Sequence, residues 1–414
     1  MARVLAIMGS GETAPTMIKP HRYLFDRLGP PPVPAVLLDT PYGFQANADD
    51  ISARAVDYFA ASVGRTVEAV DLRRFDGSDP VALEAGLAKL ARSRWVFAGP
   101  GSPTYALRQW AGTQVPALLA DKLQHGGCIV FASAAALTLG RFTVPVYEIY
   151  KVGADPAWAE GLDLLGSIVG PEVAVIPHYD NAEGGNHDTR FCYLGETRLA
   201  HLEQLMPADG WILGVDEHTG CIFDLDARTA TVVGNGTVTV RRRGTSAVLA
   251  SGESVAIESL TVLASKKGPV SGAAPQATPA AGSAQPTVLH AEIRRIEEEF
   301  DRALEARDVA DAVRAMLELD DTLEAWSGDT TQSDAGERGR AAMRRMVLRL
   351  GELATTGAQD PKAVVGGYVE AMLVERAAAR DSKRYADSDR IRAALTGLGI
   401  ELRDTPDGTS WELS

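Results

Sequence analysis

The stretch GCIVFASAAALTLG, residues 127–140, decides the fold. Its first half is a wholly apolar run of strand length, and its second half is a run of small residues that reads as helix. Ser133 stands at the joint between them. A buried strand feeding a helix is the unit from which α/β sheets are built. The functional question is whether Ser133 is a nucleophile or, like many serines before helices, a capping residue.

Other runs of the same kind lie on either side. RVLAIM (3–8), PAVLLD (34–39), TVEAVDL (66–72) and RWVFAG (94–99) read as fully buried strands. Helical patterns separate them: Ile51, Ala55, Tyr58 and Phe59 form one apolar stripe. Strands alternating with helices predict an α/β domain with a mostly parallel sheet flanked by helices. From 211 to 263 the texture changes to short alternating strands with glycine turns, as in TATVVGNGTVTVRRRG, expected as hairpins closing the sheet edge.

A compositional break follows. KKGPVSGAAPQATPAAGSAQPT (266–287) has almost no large apolar side chain and predicts a flexible linker between residues 1–265 and 288–414. Beyond it Leu289, Ile293, Ile296, Phe300 and Leu304 form one helical stripe, and Val365, Tyr368, Val369, Met372 and Leu373 another. These predict a small C-terminal helical bundle. PDG, between two short extended runs near the end, predicts a short strand pair.

With 414 residues the chain has room for more than one core, and its net charge of -14 gives no reason to expect nonspecific nucleic-acid binding. The three cysteines, Cys128, Cys192 and Cys221, have neither disulfide nor zinc spacing and fit a reducing compartment. The opening MARVLAIMGSGET reaches polar residues too soon for a secretory core, and no apolar run approaches membrane-spanning length. A cytoplasmic location is expected.

In open α/β sheets ligands sit at the carboxyl ends of strands, so the loops there are the places to search. GSGE (9–12), AGPGSPT (98–104), Ser133, PHYD (177–180) and DEHTG (216–220) occupy such loops. A serine attacks only when a base takes its proton and a third group orients that base. Ser133, His178 and Glu217 supply those three types. Backbone N–H groups of Gly99, Gly101 and Ala134 are candidates to receive the oxyanion. GSGE lacks the lysine of a P-loop and reads as a tight turn. His178, Asp180, His187 and Asp188 match no metal spacing, so no metal and no cofactor is expected.

Together GSGE, FAGPGSP, ASAAALTLG, IPHYD with Arg190 beyond it, and LGVDEHTGCIFD followed by VVGNGTVTV resemble the cyanophycinase and dipeptidase E-like serine peptidases, over roughly residues 3–263. That resemblance implies a class I glutamine-amidotransferase-like fold, with Ser133 as nucleophile, His178 as base and Glu217 as orienting acid. The implied activity is hydrolysis of a peptide or amide bond. One departure stands out: the family's G-x-S-A-G turn has its glycines replaced by Phe131 and Ala135, and such turns demand small residues.

EFDRALEARDVADAVRAML (299–317) and VEAMLVERAAARDSKRYADSDRIRAALTGLGIELRDTPDGTSW (369–411) resemble the C-terminal region of cysteinyl-tRNA synthetases. That implies recognition of tRNA, with Arg380, Lys383, Arg384 and Arg392 as possible RNA contacts. Neither HIGH-type nor KMSKS-type motifs occur, so aminoacylation is not expected, and Glu412 stands where the synthetases usually carry a basic residue. Two readings stay open: a serine-type hydrolase with an appended tRNA- or partner-binding domain, or a non-catalytic peptidase-fold protein that binds RNA or regulates.

Overall fold

The apolar runs become strands buried on both faces. A computed structural model describes residues 2–182, 187–265, 289–327, 335–357, 360–405 and 408–413. The predicted linker lies outside the described residues. The chain divides into two compact units, Met1–Leu289 with Leu323–Gly336, and His290–Thr322 with Glu337–Ser414.

The first unit opens with β1 (Arg3–Met8), α1 (Ile18–Asp26), β2 (Ala35–Leu37), α2 (Ala48–Tyr58) and β3 (Glu68–Ala69). Next come α3 (Pro80–Arg92), β4 (Trp95–Ala98), α4 (Pro103–Trp110), α5 (Val115–His125), β5 (Gly127–Ala132) and α6 (Ser133–Leu137). Proline opens α3 and α4, where its missing N–H costs nothing, and the side chains of Asp79 and Ser102 cap them. The unit continues through β6 (Phe142–Thr143), β7 (Ala159–Glu160), α7 (Gly166–Val169), β8 (Val173–Ile176), α8 (Gly195–Leu205) and β9 (Trp211–Val215). It closes with β10 (Thr219–Asp224), β11 (Thr229–Gly234), β12 (Thr237–Arg242), β13 (Thr245–Ala250), β14 (Ser254–Ala256) and α9 (Ile257–Ser265).

These strands form two sheets. One runs β14-β11-β10-β1-β5-β4-β2-β3, the other β13-β12-β9-β8-β6-β7. In the first, β1, β5, β4, β2 and β3 are successively parallel, while β10, β11 and β14 add antiparallel strands. Leu5 and Ile7 point into a core shared with Val173, Val175, Leu213 and Val215 of the second sheet. Val4, Ala6 and Met8 face the other way, onto a core with Leu24, Phe25, Tyr58 and Phe59 of α1 and α2 and the residue after it. With both faces covered, a strand reads as an unbroken apolar run.

Two expectations need correction. Strand pairing at 66–72 is confined to Glu68–Ala69, because this edge segment meets only β2 and Asp71 turns out of extended conformation at φ 63°. The region after 211 is not a set of hairpins on one edge. β9 lies inside the second sheet, parallel to β8, whereas β10 lies inside the first beside β1. The short turn between β9 and β10 therefore crosses from sheet to sheet, and it carries Glu217.

In the second unit are α10 (Leu289–Glu305), α11 (Val309–Ala325), α12 (Ala335–Thr356), α13 (Pro361–Asp381), α14 (Tyr385–Gly397) and the antiparallel pair β15 (Ile400–Thr405) and β16 (Gly408–Leu413). Three of these helices, α10, α11 and α12, straddle the unit boundary by sequence. Ile293, Ile296 and Phe300 are buried as their stripe requires. On α13 the expected stripe is rotated: Val369 and Leu373 pack on Leu395, Ile400 and Leu402, but Tyr368 is 78% and Met372 37% exposed. Arg376 and Ala379 complete the buried face instead.

Candidate active site

The register of β1, β5 and β4 brings their carboxyl ends level. Met8 pairs with Ala132, and Ala98 with Phe131. Gly9, Ser133 and Gly99 thus leave neighbouring strands at one rim, where chain directions diverge and side chains can project. β8 and β9 deliver His178 and Glu217 from the second sheet.

Ser133 begins α6 with φ 49°. A left-handed conformation is costly for a non-glycine residue and persists only where packing imposes it. Phe131 does not prevent this turn: its ring is fully buried beside Trp110, with centroids 6.0 Å apart, on the face opposite the core that holds Ala132. Ala135 is fully buried, and its N–H donates to Gly99 O at 3.1 Å, tying the serine turn to the loop after β4.

His178 also lies in the left-handed region, with φ 48°. Its N–H donates to Gly9 O at 3.3 Å, so the histidine and serine flank the same residue. Its carbonyl accepts from Asn181 N and Cys192 N at 3.2 and 3.0 Å. Phe191, Cys192 and Tyr193 form three successive left-handed residues, with φ of 61°, 55° and 66°, behind this turn.

The imidazole is fixed from the crossover. His178 Nδ1 lies 2.8 Å from Glu217 Oε1, which also accepts from Asn181 Nδ2 at 3.1 Å. Glu217 is anchored by its own N–H, which donates to Asp180 Oδ1 at 2.7 Å. Burial pushes the Glu217 carboxyl up, but the hydrogen bonds and charge of His178, with Asn181 and His218, outweigh it and hold the group below its ordinary value. Burial also raises Asp180, and it raises Asp216 to about 7, where the charge of Asp180 adds to the effect.

The serine hydroxyl has a partner absent from the expected set. Ser133 Oγ donates to Glu12 Oε2 at 3.1 Å, and the two residues are only 4% and 2% exposed. Glu12 lies in the GSGE turn, pinned by Gly9 N–H to Thr219 O and by His21 Nε2 to the Glu12 carbonyl, 2.9 and 2.7 Å. Among the described residues, then, His178 pairs with Glu217 and Ser133 pairs with Glu12.

Of the oxyanion candidates, Gly99 sits against the Glu12 carboxyl, where a Cβ would come within 2.9 Å of Oε1. Gly101 is in the left-handed region with φ 135°, packed on the Pro41 carbonyl, and Ala134 lies in the first turn of α6. Of the histidines and acids weighed as metal ligands, His178 and Asp180 are bonded to Glu217, and Asp188 holds Arg190 through two contacts of 2.8 Å. No group of three or more His, Cys, Asp or Glu among the described residues is arranged to hold a metal ion. The cysteines are buried and free, with burial pushing Cys192 and Cys221 up to about 12.

In the second unit, several RNA-contact candidates are engaged internally. Arg380 and Arg392 each reach Asp404 at 3.3 Å, Arg384 reaches Asp387 at 3.1 Å, and Arg376 binds both Asp404 oxygens at 2.7 and 2.8 Å. Lys383, at φ 61° in the turn after α13, is exposed and has no ion pair among the described residues.

Residues 366–411 match the cysteinyl-tRNA ligase anticodon binding domain. The chain is 33% identical over 101 residues to the cysteine–tRNA ligase of Azospirillum brasilense, covering 24% of this chain and 22% of that protein. It is 41% identical over 87 residues to the ligase of Halorhodospira halophila, covering 19% of each. The match thus spans about a fifth of those relatives. A crystal structure of a peptidase from an acI-B1 Actinobacterium superposes with TM-score 0.50 at 20% identity, covering 62% of this chain and 97% of that one. The first unit thus has a peptidase-like α/β fold. No described helix is long and apolar enough to cross a membrane.

Proposed function

We propose that residues 1–265 form a serine-type hydrolase of peptidase class, joined through 266–287 to a tRNA- or partner-binding domain, 288–414. The observation that carries this reading is Ser133 at φ 49° on a strand-to-helix turn, within a rim that also presents the His178–Glu217 pair. Ser133 Oγ attacks an amide carbonyl, His178 takes its proton and returns it to the leaving amine, and Glu217 holds the imidazole. Gly99, Gly101 and Ala134 are the N–H donors assigned to the oxyanion. Water then releases the acyl group. The second domain docks tRNA, as the match at 366–411 suggests, in a reducing cytoplasmic setting that suits the free cysteines.

The test is covalent labelling by a fluorophosphonate, with the modified peptide identified by mass spectrometry. Label on Ser133, lost in Ser133→Ala and His178→Ala with folding retained, is expected. A folded wild type that takes no label supports the alternative, a non-catalytic RNA-binding protein with a peptidase fold.

A further inference from the structure

We infer that Glu12 is a positioning residue that holds the Ser133 hydroxyl in the resting protein, so that the hydroxyl must turn its hydrogen bond from Glu12 to His178 before attack. The inference rests on the serine-hydrolase reading and adds a group from outside the expected triad.

Its first support is geometric. Glu12 and Ser133 are 121 positions apart, yet their side chains meet at 3.1 Å at a site from which water is nearly excluded. The GSGE turn is built to place that carboxyl. Gly11 adopts φ 63° and would drive a Cβ into the His218 ring, His21 fixes the Glu12 carbonyl, and Gly99 leaves the space that Oε1 occupies.

The second support is chemical. In the step assigned to Ser133, the Oγ–C bond forms and the Oγ–H bond breaks. The proton goes to the imidazole nitrogen opposite Nδ1, and the carbonyl π pair moves onto oxygen. A hydroxyl directed at Glu12 is not directed at that nitrogen. A carboxylate beside Gly99 also faces the growing oxyanion with like charge. Its bond to Ser133 is therefore stronger in the resting state than in the transition state, and such a bond slows the step. Productive substrate has to displace it, which keeps the nucleophile quiet in the empty site.

The experiment compares fluorophosphonate labelling of the full chain, wild type against Glu12→Gln and Glu12→Met, across pH 5–9, with thermal melts for each. Glutamine keeps the shape and a neutral acceptor, whereas methionine fills the space without one. The expected result is a maximal labelling rate about fivefold higher in Glu12→Gln, from exchange of a charge-assisted for a neutral hydrogen bond. Glu12→Met is expected to be at least as fast, and the pH midpoint should stay at the wild-type value, since His178 remains the base. An equal or lower rate in whichever variant melts like wild type overturns the inference, as does a moved midpoint, which would make Glu12 the base. Absence of label on Ser133 in wild type is a different failure, that of the hydrolase reading itself.

Discussion

Glu217 holds His178 by a 2.8 Å contact to Nδ1, delivered from a turn that crosses between the two sheets. In the proposed mechanism that contact selects the tautomer whose other nitrogen accepts the serine proton. Glu217→Gln keeps the size and removes the charge, and it is expected to lower Ser133 labelling by roughly 10²–10⁴-fold with the fold intact. The pair also carries a pH signature. The Glu217 carboxyl is held below its ordinary value of 4.5, so its contribution to stability is present above pH 4.5 and is lost as pH falls through the lower folded value. Urea melts of wild type and variant should converge below that range.

Asp216 behaves in the opposite sense. Burial, then the charge of Asp180, raises it from 3.8 to about 7, although its Oδ2 accepts from Thr237 N and Oγ1 at 2.8 and 2.7 Å. A carboxyl raised on folding favours the native state most below the unfolded value, and that advantage is lost as pH rises toward the folded value. Wild type should lose stability from about pH 4 to about pH 7 on this account. Asp216→Asn keeps an acceptor for Thr237 and is expected to remove that slope, melting higher than wild type at pH 8.

Much of this site was legible because strand burial and loop chemistry are both local. β1 and β5 read as apolar runs since both of their faces are covered, and Ser133, His178 and Glu217 follow strands in the loops where ligands bind. Glu12 was not legible as a partner of Ser133. GSGE has the composition of a turn, and no local pattern says that its last side chain reaches a strand end 121 residues away. On α13 two apolar stripes overlap, and only the packing of Leu395, Ile400 and Leu402 chooses between them. The split into two sheets was hidden for a related reason: β9 and β10 are adjacent in sequence and share one texture, but they pair with different neighbours.

Support for the histidine loop extends to a buried ion pair. Arg241 Nε and Nη2 reach Glu203 Oε2 at 3.1 and 2.9 Å, with side chains only 6% and 5% exposed. The guanidinium also stands 5.4 Å from the Phe191 ring centroid, and Phe191 N–H donates to Tyr179 O next to His178. Arg241 keeps a second partner, Glu196, whose Oε2 accepts from Nη1 at 3.0 Å, so Glu203→Ala removes only part of its pairing and is expected to cost about 1.5–3 kcal/mol in denaturant unfolding. Because the loop behind His178 loses its backing, Ser133 labelling should fall as well; unchanged labelling in the destabilised variant would show that the loop holds itself.

Charge pairing in the second unit bears on which cations can meet RNA. Arg376, Arg380 and Arg392 converge on Asp404, whose carboxyl is held well below the usual range by Arg376 first and then Thr409. A phosphate that recruits Arg380 or Arg392 must draw it from that carboxylate, so the net gain is reduced, whereas exposed Lys383 gives up no ion pair among the described residues. Each phosphate neutralised contributes counterion release, and with it a steeper dependence of affinity on salt. Titrating the full chain with tRNA between 50 and 200 mM salt should therefore show Lys383→Ala lowering the slope by about one, with Arg380→Ala and Arg392→Ala lowering it less. A larger effect at the two arginines would mean that the Asp404 cluster opens on binding, and Asp404→Asn should then bind more tightly than wild type.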